Sequence, residues 1–221
     1  MPVVVRDASN AVVVYPVDAA RAARLLPGDA FEIVADGGQA QLVLGMVDYR
    51  DNDLGSYREI AVVLFVRPRG AAPAAAGTFI YRLPVTESFT CEAGSRIWGF
   101  PKTVEEITYD WTDGHATGTL VMDGQTVFTL RVPRGRLVPG APEDPPMAGL
   151  TYTYVDGRPH RTRFTTGGSG TTLTPGGEGV DLTLGTHPLA ATLRDLGLPA
   201  TPLMSSWTEH MRGTFEAPEV L

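Results

Sequence analysis

Lysine is nearly absent from this chain. Of its 18 basic residues all but one are arginine, and the exception is Lys102. Cysteine is as scarce: Cys91 stands alone, which excludes an internal disulfide framework. Positive charge is in deficit, 18 basic against 25 acidic residues for a net charge of −7, and no basic stripe offsets it, so a nucleic-acid partner is not expected. No apolar run reaches the length that crosses a bilayer as a helix, and no membrane partner is expected. No charged segment followed by an apolar one opens the chain, so a secretory signal is not expected and the predicted location is cytoplasmic. No Gly-x-Gly-x-x-Gly joins a strand to a helix, and no Gly-x-x-x-x-Gly-Lys cradle occurs. The glycines at 167–170 and 176–179 fall between short apolar runs and read as turns. The histidines, His115, His160, His187 and His210, are far apart, and none has a partner at metal-ligand spacing, so no metal site is expected.

What is present is β patterning. The 221 residues, 43% hydrophobic, suffice for a sizeable core. Val-rich runs at 2–5 and 11–15 read as strands. Asp18 is a candidate N-cap for a short helix whose Ala19, Ala22, Ala23 and Leu26 share a face, stopped by Pro27-Gly28. Strands are predicted at 31–35 and 39–47 around Asp36-Gly37-Gly38, and again from Ser56 to Arg67 after the polar turn Asp51–Gly55. A loop at 68–77 leads to a strand at 78–83. Strands near 104–111, 115–122 and 125–132 are joined by Asp113-Gly114 and Asp123-Gly124, both strong turn pairs. Residues 133–148 read as an irregular connection. Strands follow at 150–155, 160–166, 170–174 and 178–184, with Asp156-Gly157 and Gly167-Gly168 as turns. A second helix opens at Thr186-His187-Pro188-Leu189, buries Leu189, Leu193 and Leu196, and stops at Gly197. Alternating β and α units are missing, which argues against a doubly wound sheet and for an antiparallel barrel or curved sheet with two short helices. Hairpin patterning continues across 133–148, so one domain is expected over residues 1–221.

Two polar features stand out against this background. Lys102 follows Trp98-Gly99-Phe100-Pro101, an aromatic, turn-rich stretch that should pack inside. Desolvation disfavours an ammonium, so a lysine buried there can hold a free amine near neutral pH, and a free amine attacks carbonyls to form Schiff bases. The plainer reading is a surface lysine surviving in an arginine-biased chain. Pro101 favours extended geometry at Phe100 and should aim Lys102 stiffly. The second feature is Tyr57-Arg58-Glu59, at the start of a very apolar strand. Alternation puts Tyr57 and Glu59 on one face and Arg58 on the other. If that face lines a cavity, Glu59 serves as general acid or base; otherwise it is a strand-end carboxylate in solvent. Arg96 could hold a substrate carboxylate with its planar fork, or could equally be a surface ion-pair partner. Arg58, Tyr57, Trp98 and Phe100 complete the candidate substrate contacts.

These residues carry a resemblance. Gly94-Ser95-Arg96-Ile97-Trp98-Gly99-Phe100-Pro101-Lys102 resembles the Schiff-base lysine segment of the acetoacetate decarboxylase family. Leu54-Gly55-Ser56-Tyr57-Arg58-Glu59 is similar to the stretch that carries an active-site glutamate there. Tyr154-Val155-Asp156-Gly157-Arg158-Pro159 and the run to Glu219 resemble the family's C-terminal half, so the likeness spans the chain in order. It implies a cone-shaped antiparallel β-barrel in a homo-oligomer, with Lys102 forming the imine and Glu59 beside it. It also implies a small keto-acid or other carbonyl substrate and no metal or organic cofactor. The general account of lysine activation by desolvation or a cationic neighbour takes acetoacetate decarboxylase itself as its example. Three departures accompany the likeness. Thr103 stands where the decarboxylases carry a second lysine. A second family glutamate falls near Leu44. A family arginine near the N-terminus has no match in register, Arg6 being the nearest.

Three functions are compatible with this pattern. The first is a carbon–carbon lyase that decarboxylates a β-keto acid through an imine on Lys102. The second keeps the imine but runs an aldol or dehydration reaction on a pyruvate-like 2-keto acid, which the missing lysine and glutamate motivate. The third is a non-catalytic barrel binding a small apolar ligand, against which a buried ammonium argues.

Overall fold

The computed structural model describes residues 2–112, 114–135 and 143–221. In chain order the strands are β1 (Val3–Asp18), β2 (Phe31–Ile33), β3 (Ala35–Asp36), β4 (Gln39–Asn52), β5 (Tyr57–Pro68), β6 (Gly77–Val85), β7 (Lys102–Val104), β8 (Glu106–Trp111), β9 (His115–Met122), β10 (Gln125–Pro133), β11 (Asp144–Val155), β12 (Arg158–Pro175), β13 (Asp181–Leu184), β14 (Met204–Phe215) and β15 (Glu219–Val220). The helices are α1 (Ala19–Ala23), α2 (Ser88–Trp98) and α3 (Pro188–Asp195), with one 3₁₀ turn at Pro73–Ala75.

The large sheet closes on itself. Its order runs β5-β4-β1-β14-β12-β11-β6, and β6 pairs back onto β5, so seven strands form a ring. The ladders are antiparallel except where β6 meets β11 and β7, which it pairs in parallel. Closure leaves these seven strands without a free edge, which is how a curved all-β sheet satisfies its backbone. A second, four-stranded antiparallel sheet runs β13-β10-β9-β8.

Alternation decides where the core lies. The even residues Leu42, Leu44 and Met46 of β4 pair with Leu64, Val62 and Ile60 of β5. They pack against Ile107, Leu120, Phe128 and Leu130 of the second sheet in one buried cluster. Each such side chain contributes about 1.5–3 kcal/mol on burial. The odd residues of the same strands face the other way and build the site described below.

Several local expectations hold. Asp18 caps α1 through a bond from the Arg21 N–H, and His187 caps α3 by accepting from Leu189 N–H. Asp123-Gly124 and Asp156-Gly157 both take the positive φ pairs that two-residue hairpins need, 50° and 69°, and 50° and 73°. Other expectations need correction. The runs at 2–5 and 11–15 are one strand, because the polar stretch between them pairs with β4 on one side and β14 on the other through local register shifts. Gly167-Gly168 is not a turn: β12 runs through it, and a Cβ on Gly168 would lie 2.1 Å from the His210 carbonyl, so glycine there permits close strand approach. β11 begins at Asp144, inside the stretch read as irregular. Residues 136–142 of that stretch, and Asp113 of the Asp113-Gly114 pair, lie outside the described residues. The pattern predicts two helices; the structure has a third, α2, and it carries one wall of the site.

Candidate active site

The β4–β5 hairpin supplies one side. Tyr49 lies opposite Tyr57, and Val47 opposite Glu59. The two tyrosine rings stack with centroids 4.5 Å apart. The tight connection is held by Asn52, whose side-chain amide donates to Gly55 O at 2.6 Å while its oxygen accepts from Leu54 N–H at 2.7 Å. Arg6 is engaged at the same turn, paired with Asp51 and Asp53 at 2.8 and 2.6 Å.

The segment from α2 to β7 supplies the other side. α2 ends in a left-handed Gly99 with φ 68°, where a Cβ would meet the Tyr154 carbonyl oxygen at 2.2 Å, so only glycine fits. Trp98 is fixed at both ends of its residue: its indole N–H donates to Glu216 O at 2.7 Å, and its carbonyl accepts from the Thr153 hydroxyl at 2.7 Å. β7 then pairs in parallel with β6, Lys102 opposite Leu83. The lysine stem lies against Gly94, where a Cβ would sit 2.7 Å from both Cδ and Cε. Thr90, four residues earlier on the same helical face, is fully buried.

The three donors of the ammonium find three partners. Nζ donates to Glu59 Oε2 at 2.8 Å, to Thr90 Oγ1 at 3.2 Å and, more weakly, to the Tyr57 hydroxyl at 3.5 Å. It also lies 5.0 Å from the Tyr57 ring centre. The other Glu59 oxygen accepts from the Tyr49 hydroxyl at 3.2 Å. Exposure of the Lys102 and Glu59 side chains is only 4% and 9%. Burial first, and the Glu59 charge second, push the Tyr57 and Tyr49 phenols well above the ordinary tyrosine range. Both therefore stay protonated and neutral, Tyr49 donating to Glu59 and Tyr57 accepting from Lys102. A buried ion pair costs several kcal/mol of desolvation per ion, and apolar residues of similar volume stabilise a fold as well or better. The pair is thus not accounted for by stability alone.

Beside the amine is a cavity of about 130 Å³. Its wall is mostly apolar, with Val5, Leu83, Trp98, Phe100 and Phe215 prominent, and Tyr49, Asn52, Tyr57, Glu59 and Lys102 supply the polar groups. A bulge in β6 shapes it: Val62 pairs with Arg82 but Val63 with Ile80, so Ile80 and Leu83 both reach the cavity though three apart.

Of the sequence candidates, Lys102, Glu59, Tyr57, Trp98 and Phe100 converge on this cavity. Arg58 and Arg96 do not. Arg58 lies on the opposite strand face, its guanidinium 5.5 Å from the Tyr109 ring centre and 3.9 Å from Asp48. Arg96 is exposed on α2 and pairs with Glu92 one turn away at 2.8 Å. Among the described residues no arginine lines the cavity. Leu44 lies in the apolar core, on the β4 face turned away from the site. Sequence reading missed Tyr49, Asn52, Thr90 and Gly94. Tyr49 was accessible from hairpin register, since a symmetric pairing about Asp51–Gly55 sets it opposite Tyr57. Thr90 and Gly94 had no signal without α2. Among the described residues no group of three or more His, Cys, Asp or Glu side chains is placed to hold a metal ion. No helix among them is long and apolar enough to cross a membrane.

A family model described as acetoacetate decarboxylase matches residues 1–217. No curated protein matches. Among solved structures, an acetoacetate decarboxylase from Legionella pneumophila superposes with a TM-score of 0.70 at 18% identity, covering 100% of this chain and 87% of its own. The enduracididine biosynthesis enzyme MppR, complexed with the condensation product of pyruvate and imidazole 4-carboxaldehyde, gives 0.64 at 19% identity, with 100% and 89% covered. An acetoacetate decarboxylase-like enzyme from Sphingomonas wittichii RW1 gives 0.63 at 16% identity, with 100% and 92% covered. At these identities the superpositions establish a shared fold, and the family match over nearly the whole length establishes kinship: this chain belongs to the acetoacetate decarboxylase family.

Proposed function

We propose that this protein is a Schiff-base lyase that decarboxylates a small β-keto acid on Lys102. One observation carries the reading: a lysine amine enclosed in an apolar cavity, 2.8 Å from a carboxylate that can take its proton.

The steps follow from those two groups. Glu59 accepts a proton from Nζ, freeing the lone pair. The amine adds to the keto carbon, and the carbinolamine loses its hydroxyl as water, taking a proton from Glu59, to leave a protonated imine. The bond to the carboxylate carbon then breaks. Its electron pair moves into the imine, CO₂ departs, and a neutral enamine remains. The enamine carbon takes a proton from a water that enters after CO₂ leaves, the hydroxide of that water adds to the imine carbon, and the carbinolamine separates into ketone and free amine. An apolar wall favours the bond-breaking step, because iminium and carboxylate charges cancel as CO₂ leaves, and charge cancellation is favourable where water is scarce.

A second reading is aldol or dehydration chemistry on a pyruvate-like acid, favoured by the likeness to MppR, whose structure holds a pyruvate condensation product. The decarboxylation reading leads because the lining beside the amine is mostly apolar, where cancelling the carboxylate charge is favourable. The test is CO₂ release from a panel of short β-keto acids, corrected for the uncatalysed rate, beside aldol formation from pyruvate and aldehydes. CO₂ release that disappears in Lys102→Arg supports the proposal. Aldol product without CO₂ release sinks it.

A further inference from the structure

A second pocket of about 430 Å³ backs onto the catalytic segment. Consecutive residues divide between the two: Trp98, Phe100 and Lys102 line the site cavity, while Gly99 and Pro101 line the second pocket. β6 forms part of the same partition, with Ile80 reaching both. One thin wall therefore separates the pockets, and the backbone that positions Lys102 runs through it.

The second pocket has its own chemistry. Leu25, Leu26, Pro27 and Phe79 give it an apolar lining, and two arginines, Arg24 and Arg82, add positive charge. Arg82 is pre-oriented. Its guanidinium carbon lies 4.0 Å from the Tyr81 ring centre, and Nη1 donates to the Tyr81 carbonyl at 2.7 Å. Among the described residues that is the one of its five N–H donors that is engaged, and none of their carboxylates is within ion-pair distance of it. Arg24 is held by Asp195 at 3.2 Å. Tyr154, which also lines the pocket, has a buried hydroxyl with no hydrogen-bond partner among the described residues. An organised guanidinium with free donors, beside aliphatic walls in a chain of net charge −7, is a local exception that favours an anion with an apolar body.

We propose that this pocket is a binding site, separate from the Lys102 cavity, for a small aliphatic carboxylate. The carboxylate pairs with the Arg82 fork and the alkyl chain lies along Leu25, Leu26 and Phe79. The proposal does not depend on the reaction assigned to Lys102, because binding alone is measured.

Calorimetric titration with hexanoate is the test, with acetate and 1-hexanol as partial probes carrying charge without chain and chain without charge. Hexanoate should bind the unmodified protein at least tenfold more tightly than either. Arg82→Gln should weaken it at least tenfold, with Arg24→Gln as a second variant acting in the same direction. Lys102→Met should leave it unchanged. Far-UV circular dichroism of each variant separates loss of binding from loss of fold. No hexanoate binding, equal binding of hexanol, indifference to Arg82→Gln in a folded variant, or loss in Lys102→Met would each overturn the assignment.

Discussion

Lys102 Nζ and Glu59 Oε2 stand 2.8 Å apart with almost no solvent access to either side chain. The lysine comes from a strand that follows α2 and the glutamate from the β4–β5 hairpin, so the folded sheet, not local sequence, makes the pair.

Removing one member of this pair should cost more than removing both. Glu59→Gln leaves a buried ammonium without its counter-ion, expected to lower stability by about 3–5 kcal/mol. Glu59→Gln combined with Lys102→Met removes both charges, and should be less destabilised than Glu59→Gln alone. Urea unfolding of the two single variants and the double variant checks this. A double variant whose loss equals the sum of the singles would show that the charges are not coupled.

Gly94→Ala separates the amine's position from the fold. The new methyl would lie 2.7 Å from Lys102 Cδ and Cε, so the flexible stem must move. Alanine is also the better helix residue by up to about 1 kcal/mol, which offsets part of the strain. Activity should fall at least tenfold while the midpoint of thermal unfolding changes by only a few degrees. Unchanged turnover would mean that the position of Nζ is not set by α2.

Gly99→Ala should act on stability instead. Its φ of 68° is costly for any residue with a Cβ, and the added atom would overlap the Tyr154 carbonyl. Strain of at least about 2 kcal/mol is expected from the left-handed geometry and the overlap together. Urea unfolding measures it, and a loss under half that size would contradict the packing described.

Acid sensitivity should show at Asp7, away from the site. Arg50 donates to it at 2.7 and 2.8 Å and His210 lies 2.9 Å away, the Arg50 bonds being the main reason that its carboxyl is lowered to about 2. A lowered folded-state pKa stabilises above the unfolded value, 3.8, and that contribution disappears as pH falls through about 2. Discounted for solvent screening, it is about 1 kcal/mol. Asp7→Asn should therefore be less stable than the parent at pH 5, with the gap narrowing toward pH 2.5. A gap constant over that window would count against the ion pair.

Much of both sheets was readable from period-two patterning and from turn pairs such as Asp123-Gly124 and Asp156-Gly157, because those signals are local. So was the split of Tyr57 and Glu59 from Arg58, which needs only strand alternation. α2 was hidden by its own composition. Gly94 weakens a helical pattern, and its reason, room for the Lys102 stem, exists only in the fold. Missing the helix hid Thr90 and left Arg96 without a face; the helix turns Arg96 to solvent beside Glu92. The pairing of β12 through Gly167-Gly168 was equally unreadable, since strand approach there depends on β14, some forty residues away.

The most direct test of the central claim is borohydride trapping followed by intact mass and peptide mapping. The protein is incubated with acetoacetate, as a short β-keto acid, and reduced. With a single lysine in the chain, any side-chain amine adduct must fall on Lys102, the N-terminal amine serving as the internal control. The account predicts an adduct on the Lys102 peptide with the mass of the decarboxylated ketone, absent from Lys102→Arg. An unmodified Lys102 peptide in protein that nevertheless releases CO₂ would contradict it.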